Sequence, residues 1–257
     1  TFLGGKGANM SVAAARAGAT VRHIGAVGQD GDWAVQRLAS YGVDTSKIAK
    51  LDTDTGEAII AVSDDGENSI IISPGANRAI LPQMVGAALS AASSGDWVVT
   101  QNETSAQVDA LSTARANGLH AAYAAAPFEA ASVLTALPHI DLLILNQVEM
   151  EQLAAALGKG AGDLGVAHVV VTLGAEGSDL YSAGAPAAVR FPAHKVTPID
   201  TTGAGDTFTG YLLAGLDRGE PIETALNRAG KAAAIMVTRL GTADVIPTLA
   251  EVDAFEG

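Results

Sequence analysis

The stretch Asp200-Thr201-Thr202-Gly203-Ala204-Gly205-Asp206-Thr207-Phe208 stands at the head of a long helical pattern. Two glycines flanking an alanine let backbone N–H groups turn toward one point, where the free donors and dipole of a helix N-terminus favour an anion such as a phosphate. On that first turn the carboxylate of Asp206 would point to where the anion lies, and it could accept a proton from a nucleophilic hydroxyl. The plainer alternative is a helix N-terminal acid beside a tight glycine turn. The spacing and the Thr-Phe that follows favour an anion hole at Gly203, Ala204 and Gly205, with Asp206 as a base.

A second glycine cluster, Gly4-Gly5-Lys6-Gly7-Ala8-Asn9, also leads into a helix. It is not a Walker A loop, which needs Ser or Thr after the lysine, where Gly7 stands, and neither cluster spells G-x-G-x-x-G. Gly5 and Gly7 allow close backbone approach, Asn9 both donates and accepts, and Lys6 adds a mobile cation. A polyhydroxylated ligand needs such a mixture, although a glycine turn before a helix is also a common structural device. Asn146-Gln147-Val148-Glu149 follows an apolar run and reads either as a capping box or as a site that puts Glu149 near hydrated Mg²⁺ on nucleotide phosphates. Thr172-Leu173-Gly174-Ala175-Glu176-Gly177 would let a flat base or ribose lie against backbone, or would simply form a hairpin turn. In Gln101-Asn102-Glu103-Thr104, Glu103 either caps the following helix or hydrogen-bonds a sugar hydroxyl. The five histidines show no metal-ligand spacing, and no G-x-S-x-G occurs.

The elements that must position these residues follow from hydrophobic period and turn signals. Residues 8–17 read as a helix closed by Gly18, 21–27 as a strand, and 32–41 as a helix ending at Gly42. Two β-branched runs, 57–63 and 68–73, flank Asp64-Asp65-Gly66-Glu67 and predict a hairpin. Helices at 82–93, 104–117, near Phe128 and at 148–157 then alternate with strands at 97–100, 119–123, 142–145 and 168–172. Residues 180–191 hold two short strand-like pieces, residues 203–239 are helical almost throughout, and a short helix covers 249–255. Such alternation implies βαβ units, hence an α/β fold with a doubly wound, mostly parallel sheet. A single domain over 1–257 is expected, with a small β lid at about 51–73 over a site at the carboxyl ends of the strands.

Composition narrows the class. The 257 residues suffice for a large α/β core, and 15 Lys plus Arg against 28 Asp plus Glu give a net charge of −13. That field repels polyanions, so nucleic acid and anionic membrane surfaces are not expected partners. The absence of cysteine removes thiolate chemistry and fits a cytoplasmic location. No apolar run of about eighteen residues could span a bilayer. Thr1-Phe2-Leu3 carries no initiator Met and no signal h-region, and reads as a chain lacking its natural beginning.

Residues 4–9, Gly75-Ala76-Asn77, 146–149, 172–177 and 200–206 occur in the order and at the approximate spacing of the ribokinase-like (pfkB) carbohydrate kinases, which the sequence resembles over essentially its whole length. The Gly-Gly-Lys-Gly-Ala-Asn stretch points to a ribose substrate over fructose or adenosine. The resemblance implies ATP-dependent phosphorylation of ribose at its 5-hydroxyl, with Asp206 as base and Gly203, Ala204 and Gly205 as anion hole. It implies sugar contacts from Gly5, Lys6, Gly7, Asn9 and Glu103, and nucleotide contacts from Asn146, Thr172, Gly174, Gly177, Gly205 and the position of Gly230. Mg²⁺ would be reached from Glu149 through water. K⁺ would be held largely by carbonyls at Asp200, Thr202, Met236, Arg239 and Gly241. A homodimer through the lid is the oligomer expected.

The sequence departs from the family in three places. The family's first strand and its sugar-binding Asn-x-Asp would precede Thr1. Ala124-Ala125-Ala126-Pro127 lacks a polar side chain usual there, and Gly230 offers no adenine-facing side chain. Alternatives are a kinase for another sugar or a nucleoside, a relic that binds ligand without turnover, and a nicotinamide-dependent oxidoreductase, which the missing G-x-G-x-x-G disfavours.

Overall fold

The computed structural model describes residues 2–62 and 68–256, so the turn expected at Asp64-Asp65-Gly66-Glu67 lies outside the described residues. The chain opens with α1 (Lys6–Arg16), β1 (Arg22–Val27), α2 (Asp32–Ser40) and β2 (Asp44–Lys50). The hairpin of β3 (Glu57–Val62) and β4 (Asn68–Ser73) follows, antiparallel and a sheet of its own. Next come α3 (Pro82–Leu89), β5 (Trp97–Thr100), α4 (Gln107–Ala116), β6 (His120–Ala124), α5 (Ala130–Ala136), β7 (Leu142–Asn146), α6 (Gln147–Leu157) and β8 (His168–Thr172). The last third holds β9 (Ser178–Ser182), β10 (Val189–Phe191), α7 (Ala204–Asp217), α8 (Ile222–Met236) and α9 (Leu249–Asp253).

Strands β5 to β8 are mutually parallel, and β9 and β10 add antiparallel pairs, giving a six-stranded sheet in the order β10-β9-β8-β7-β6-β5. Its middle strands are buried on both faces, which explains the near-continuous apolar run in β7. Leu142 and Ile144 face one core with Val12, Tyr211, Leu212, Leu226 and Met236 from α1, α7 and α8. Leu143 and Leu145 face the other, with Leu111, Val133 and Leu153 from α4, α5 and α6.

Three expectations need correction. The helical pattern over 203–239 is two helices, because Arg218 closes α7, Gly219 takes a positive φ of 75° and Pro221 caps α8. Strand β2 was not foreseen: Asp44-Thr45-Ser46-Lys47-Ile48-Ala49-Lys50 is polar and largely exposed, and only its parallel pairing with β1 makes it a strand. The helix expected near Phe128 starts at Ala130, beyond the cis Ala126-Pro127 bond.

β1 pairs with β2 along one edge and β5 with β6 along one edge, and the other edge of each has no strand partner among the described residues. The first turn of α1 comes close to both strands: a Cβ on Gly7 would stand 3.4 Å from the Gln101 side chain after β5 and 3.5 Å from that of His23 in β1.

Candidate active site

Helices α1, α6 and α7 follow glycine-rich or strand-end segments, so each brings a first turn with unpaired N–H groups to the same end of the sheet. At the start of α7, Gly203 takes the left-handed conformation, φ 75°, which turns the chain sharply into the helix. The N–H groups of Gly203, Gly205 and Asp206 meet no acceptor among the described residues, whereas that of Ala204 reaches the Thr201 carbonyl at 3.3 Å. An exposed Gly205 beside a buried Asp206 thus presents free donors next to a carboxylate.

Asp206 meets Asn9 of α1, whose amide Nδ2 donates to Oδ2 at 2.8 Å. The two helices approach closely because Gly210 of α7 leaves no room for a side chain: a Cβ there would lie 2.5 Å from that of Ala13 and 2.6 Å from the Met10 carbonyl. Burial pushes the Asp206 carboxyl above the usual aspartate range, opposed by the Lys6 charge and the Asn9 hydrogen bond.

Glu103 leaves the end of β5 and accepts the Lys6 N–H at 2.7 Å. Of its two expected roles, capping the following helix is not realised, since α4 has no side-chain cap; Glu103 caps α1 instead. Burial raises its carboxyl, the Lys6 N–H and ammonium oppose that rise, and the Asp206 charge adds to it. Lys6 also lowers Glu149, which burial raises and the Asn146 N–H opposes. A single ammonium therefore acts on three carboxylates that come from 97 to 200 residues away in the chain, and this convergence defines the site.

The capping box at Asn146 and Glu149 forms in both directions, at 2.9 and 2.8 Å, and places both side chains at the carboxyl end of β7. Thr172 is the direct neighbour of Asn146 across β7 and β8. The glycine segment after it makes a hairpin turn into β9, with Gly174 at φ 58° and open space where a side chain would project. Gly177 has a packing reason to be glycine, because a Cβ there would fall 1.9 Å from the Phe191 carbonyl. Gly230 stands on α8, also facing open space.

Asp200 ties two loops together, accepting the Thr202 N–H at 2.9 Å and the Gly241 N–H at 3.2 Å. Burial would raise its carboxyl, but the Thr202 hydroxyl and these N–H groups hold it below the usual range. The residues expected around a monovalent cation are thereby brought together. The carbonyls of Asp200, Thr202, Arg239 and Gly241 accept no hydrogen bond from the described residues, and that of Met236 accepts the Arg239 N–H. The Arg239 side chain itself points elsewhere, to the Val245 carbonyl and Glu251.

Asn102 escaped sequence reasoning. Buried, it accepts the Tyr123 hydroxyl and donates to the Pro127 carbonyl at 2.8 Å, and its N–H reaches the Ala126 carbonyl at 3.1 Å. It thus holds the loop of 124–127, where the chain lacks a polar side chain of its own.

The model of the pfkB family of carbohydrate kinases matches residues 1–249. The chain belongs to this family. It is similar to the ribokinase of Staphylococcus aureus, with 34% identity over 98% of this chain and 87% of that protein. Its fold is similar to the ribokinase of Cryptococcus neoformans in complex with ADP, TM-score 0.83 at 33% identity over 97% of this chain and 87% of that one. The ribokinase of Arabidopsis thaliana complexed with ribose and ATP superposes with TM-score 0.84 at 27% identity, over 98% of this chain and 88% of that one. The chain is accordingly an ATP-dependent carbohydrate kinase of the ribokinase-like fold. The pfkB fold also accounts for the separate β3–β4 sheet, and among the described residues no helix is long and apolar enough to cross a membrane.

Proposed function

We propose that this pfkB kinase phosphorylates ribose at its 5-hydroxyl, with Asp206 as general base. The observation that carries the reading is a buried carboxylate on the first turn of α7, beside N–H groups at Gly203 and Gly205 that meet no acceptor among the described residues. In this reading Asp206 takes the proton of the 5-hydroxyl as the new O–P bond forms and the bond from the γ-phosphorus to the ADP oxygen breaks. The N–H groups of the α7 N-terminus stabilise the charge on the transferred phosphoryl group, and phosphoryl transfer needs little more than such positioning and electrostatics. Gly5, Lys6, Gly7, Asn9 and Glu103 bind the sugar: one Glu103 oxygen holds the Lys6 N–H, and the other is left for a hydroxyl. The ribose and ATP complex of the Arabidopsis relative supports this choice of ligands.

Asn146, Thr172, Gly174, Gly177, Gly205 and Gly230 make up the nucleotide side. The open space at Gly174 and Gly230 suits a base laid against backbone. Mg²⁺, when bound with ATP, neutralises phosphate charge. Glu149 fits a contact through water, since its Oε2 is occupied by the Asn146 N–H and Oε1 is left to solvent. The four carbonyls at Asp200, Thr202, Arg239 and Gly241 that meet no donor among the described residues, together with that of Met236, fit a K⁺ ion beside the anion hole. The protein works as one unit in the cytoplasm, with β3 and β4 as a lid and no nucleic acid or membrane partner.

Asp206→Asn tests the reading. Ribose-dependent ADP release is expected to fall by about 10² to 10⁴ while ATP binding and the fold persist. A loss below about fivefold would sink the assignment of the base, given that positioned bases contribute far more. Equal rates on other pentoses and nucleosides would remove ribose as the preferred substrate.

A further inference from the structure

Resting on the reading of Asp206 as base, we propose that Asn9 is a positioning residue that fixes one oxygen of that carboxylate and leaves the other to receive the hydroxyl proton. Asn9 and Asp206 are 4% and 7% exposed, and the Asn9 Nδ2 to Asp206 Oδ2 hydrogen bond of 2.8 Å links α1 to α7. A carboxylate only accepts, so the amide must turn its NH₂ toward Asp206, and this fixes the orientation of Asn9. Its Oδ1 is then buried with no partner among the described residues, an arrangement that costs free energy unless it serves a ligand. With Oδ2 engaged, Oδ1 of Asp206 is the oxygen free to face the site. The contact has little slack, because Gly210 packs directly on Met10 and Ala13, one and four residues along α1 from Asn9. The charged groups facing Asp206 are Lys6 from α1 and Glu103 from the loop after β5. Removing Asn9 leaves both in place.

The role differs from a sugar contact in what it controls. A residue that only binds ribose changes KM and leaves the base alone. A residue that holds the base also changes kcat and the pH at which the base loses its charge, since a hydrogen bond to the charged form favours that form. The test is the pH dependence of kcat/KM for ribose in Asn9→Leu and Asn9→Asp, with thermal unfolding to establish that each is folded. The acid limb is expected to move upward by about one unit in Asn9→Leu, equivalent to tenfold less ionised base at a given low pH. In Asn9→Asp it should move further, because a second carboxylate now faces Asp206. That variant keeps the shape of the side chain and carries the test if the leucine variant does not fold. A raised KM with an unmoved acid limb and unchanged kcat would overturn the proposal and leave Asn9 a sugar contact. Full turnover in Asp206→Asn would instead overturn the reading of the base itself.

Discussion

Burial disfavours the charged form of Asp206, and this has consequences of opposite sign for rate and for stability. Its carboxyl sits above the ordinary range because desolvation outweighs Lys6 and Asn9. In the proposed reading the ionised form is the base, so kcat/KM should hold at higher pH and be lost as pH falls through a value above about 3.9, the ordinary aspartate value. A pH–rate profile measured on ribose checks this, and an acid limb at or below that value would contradict the burial argument. For stability the sign reverses. A carboxyl whose pKa is raised by folding contributes most below its unfolded pKa, and that contribution is lost as pH rises through the folded value. At neutral pH the buried charge therefore costs stability, and Asp206→Asn should unfold at a higher temperature than the native protein while losing turnover. A lower unfolding temperature at neutral pH would show that the hydrogen bond from Asn9 outweighs desolvation.

At the scale of elements, the site depends on how closely α1 and α7 pack. Gly210→Ala places a methyl group within 2.6 Å of the Met10 carbonyl and the Ala13 Cβ, so the helices must separate. Overpacking of this kind typically costs about 1–3 kcal/mol. Urea unfolding should show that loss, and kcat should fall with it because Asn9 leaves Asp206. An unchanged midpoint would mean that the interface yields elsewhere. The loops joined by Asp200 carry another expectation, since the carbonyls of Asp200, Thr202, Arg239 and Gly241 accept no hydrogen bond among the described residues. Potassium should raise activity over sodium by ordering these loops, and equal rates in matched potassium and sodium buffers would argue against a cation there.

Across the whole molecule, the β3–β4 sheet stands apart from the rest and carries large apolar side chains in the open. Ile59 and Ile71 face each other across the hairpin at 57% and 66% exposed, and Ile72, on the opposite face, is 62% exposed. Alternation along a strand thus gives both faces of the hairpin an apolar surface, and the expected roles of sugar lid and dimer interface would use one face each. Ile71→Asp is expected to shift the protein from dimer to monomer in sedimentation velocity. A native protein that already runs as a monomer at high micromolar concentration would exclude the lid as an interface. β1 and β5 each have one edge without a strand partner among the described residues, and association that survives Ile71→Asp would point to those edges.

Much of this was legible in the residues before any contact was known. The apolar runs of β5 to β8 and the glycine-bounded helices between them gave the α/β class, because strands buried on both faces must be continuously apolar. The cluster of Asp200 to Asp206 marked a helix start with exposed N–H donors, since glycines before a helix expose donors by local geometry alone. Gly219 and Pro221 signalled the break between α7 and α8, a signal that the strong helical pattern on both sides obscured. Strand β2 left no such trace, because its polar residues become extended only through pairing with β1. Nor could the residues alone show that Glu103 caps α1, that Asn102 holds the loop before Pro127, or that Asn9 grips Asp206 from 197 residues away. Those pairings arise from close packing of distant segments, where a missing methyl at Gly210 decides which side chains meet. Residue types fixed by backbone geometry and hydrophobic period are local properties and can be read in order along the chain. Which carboxylate shares which ammonium, and which buried amide completes it, is decided only when the helices close on one another.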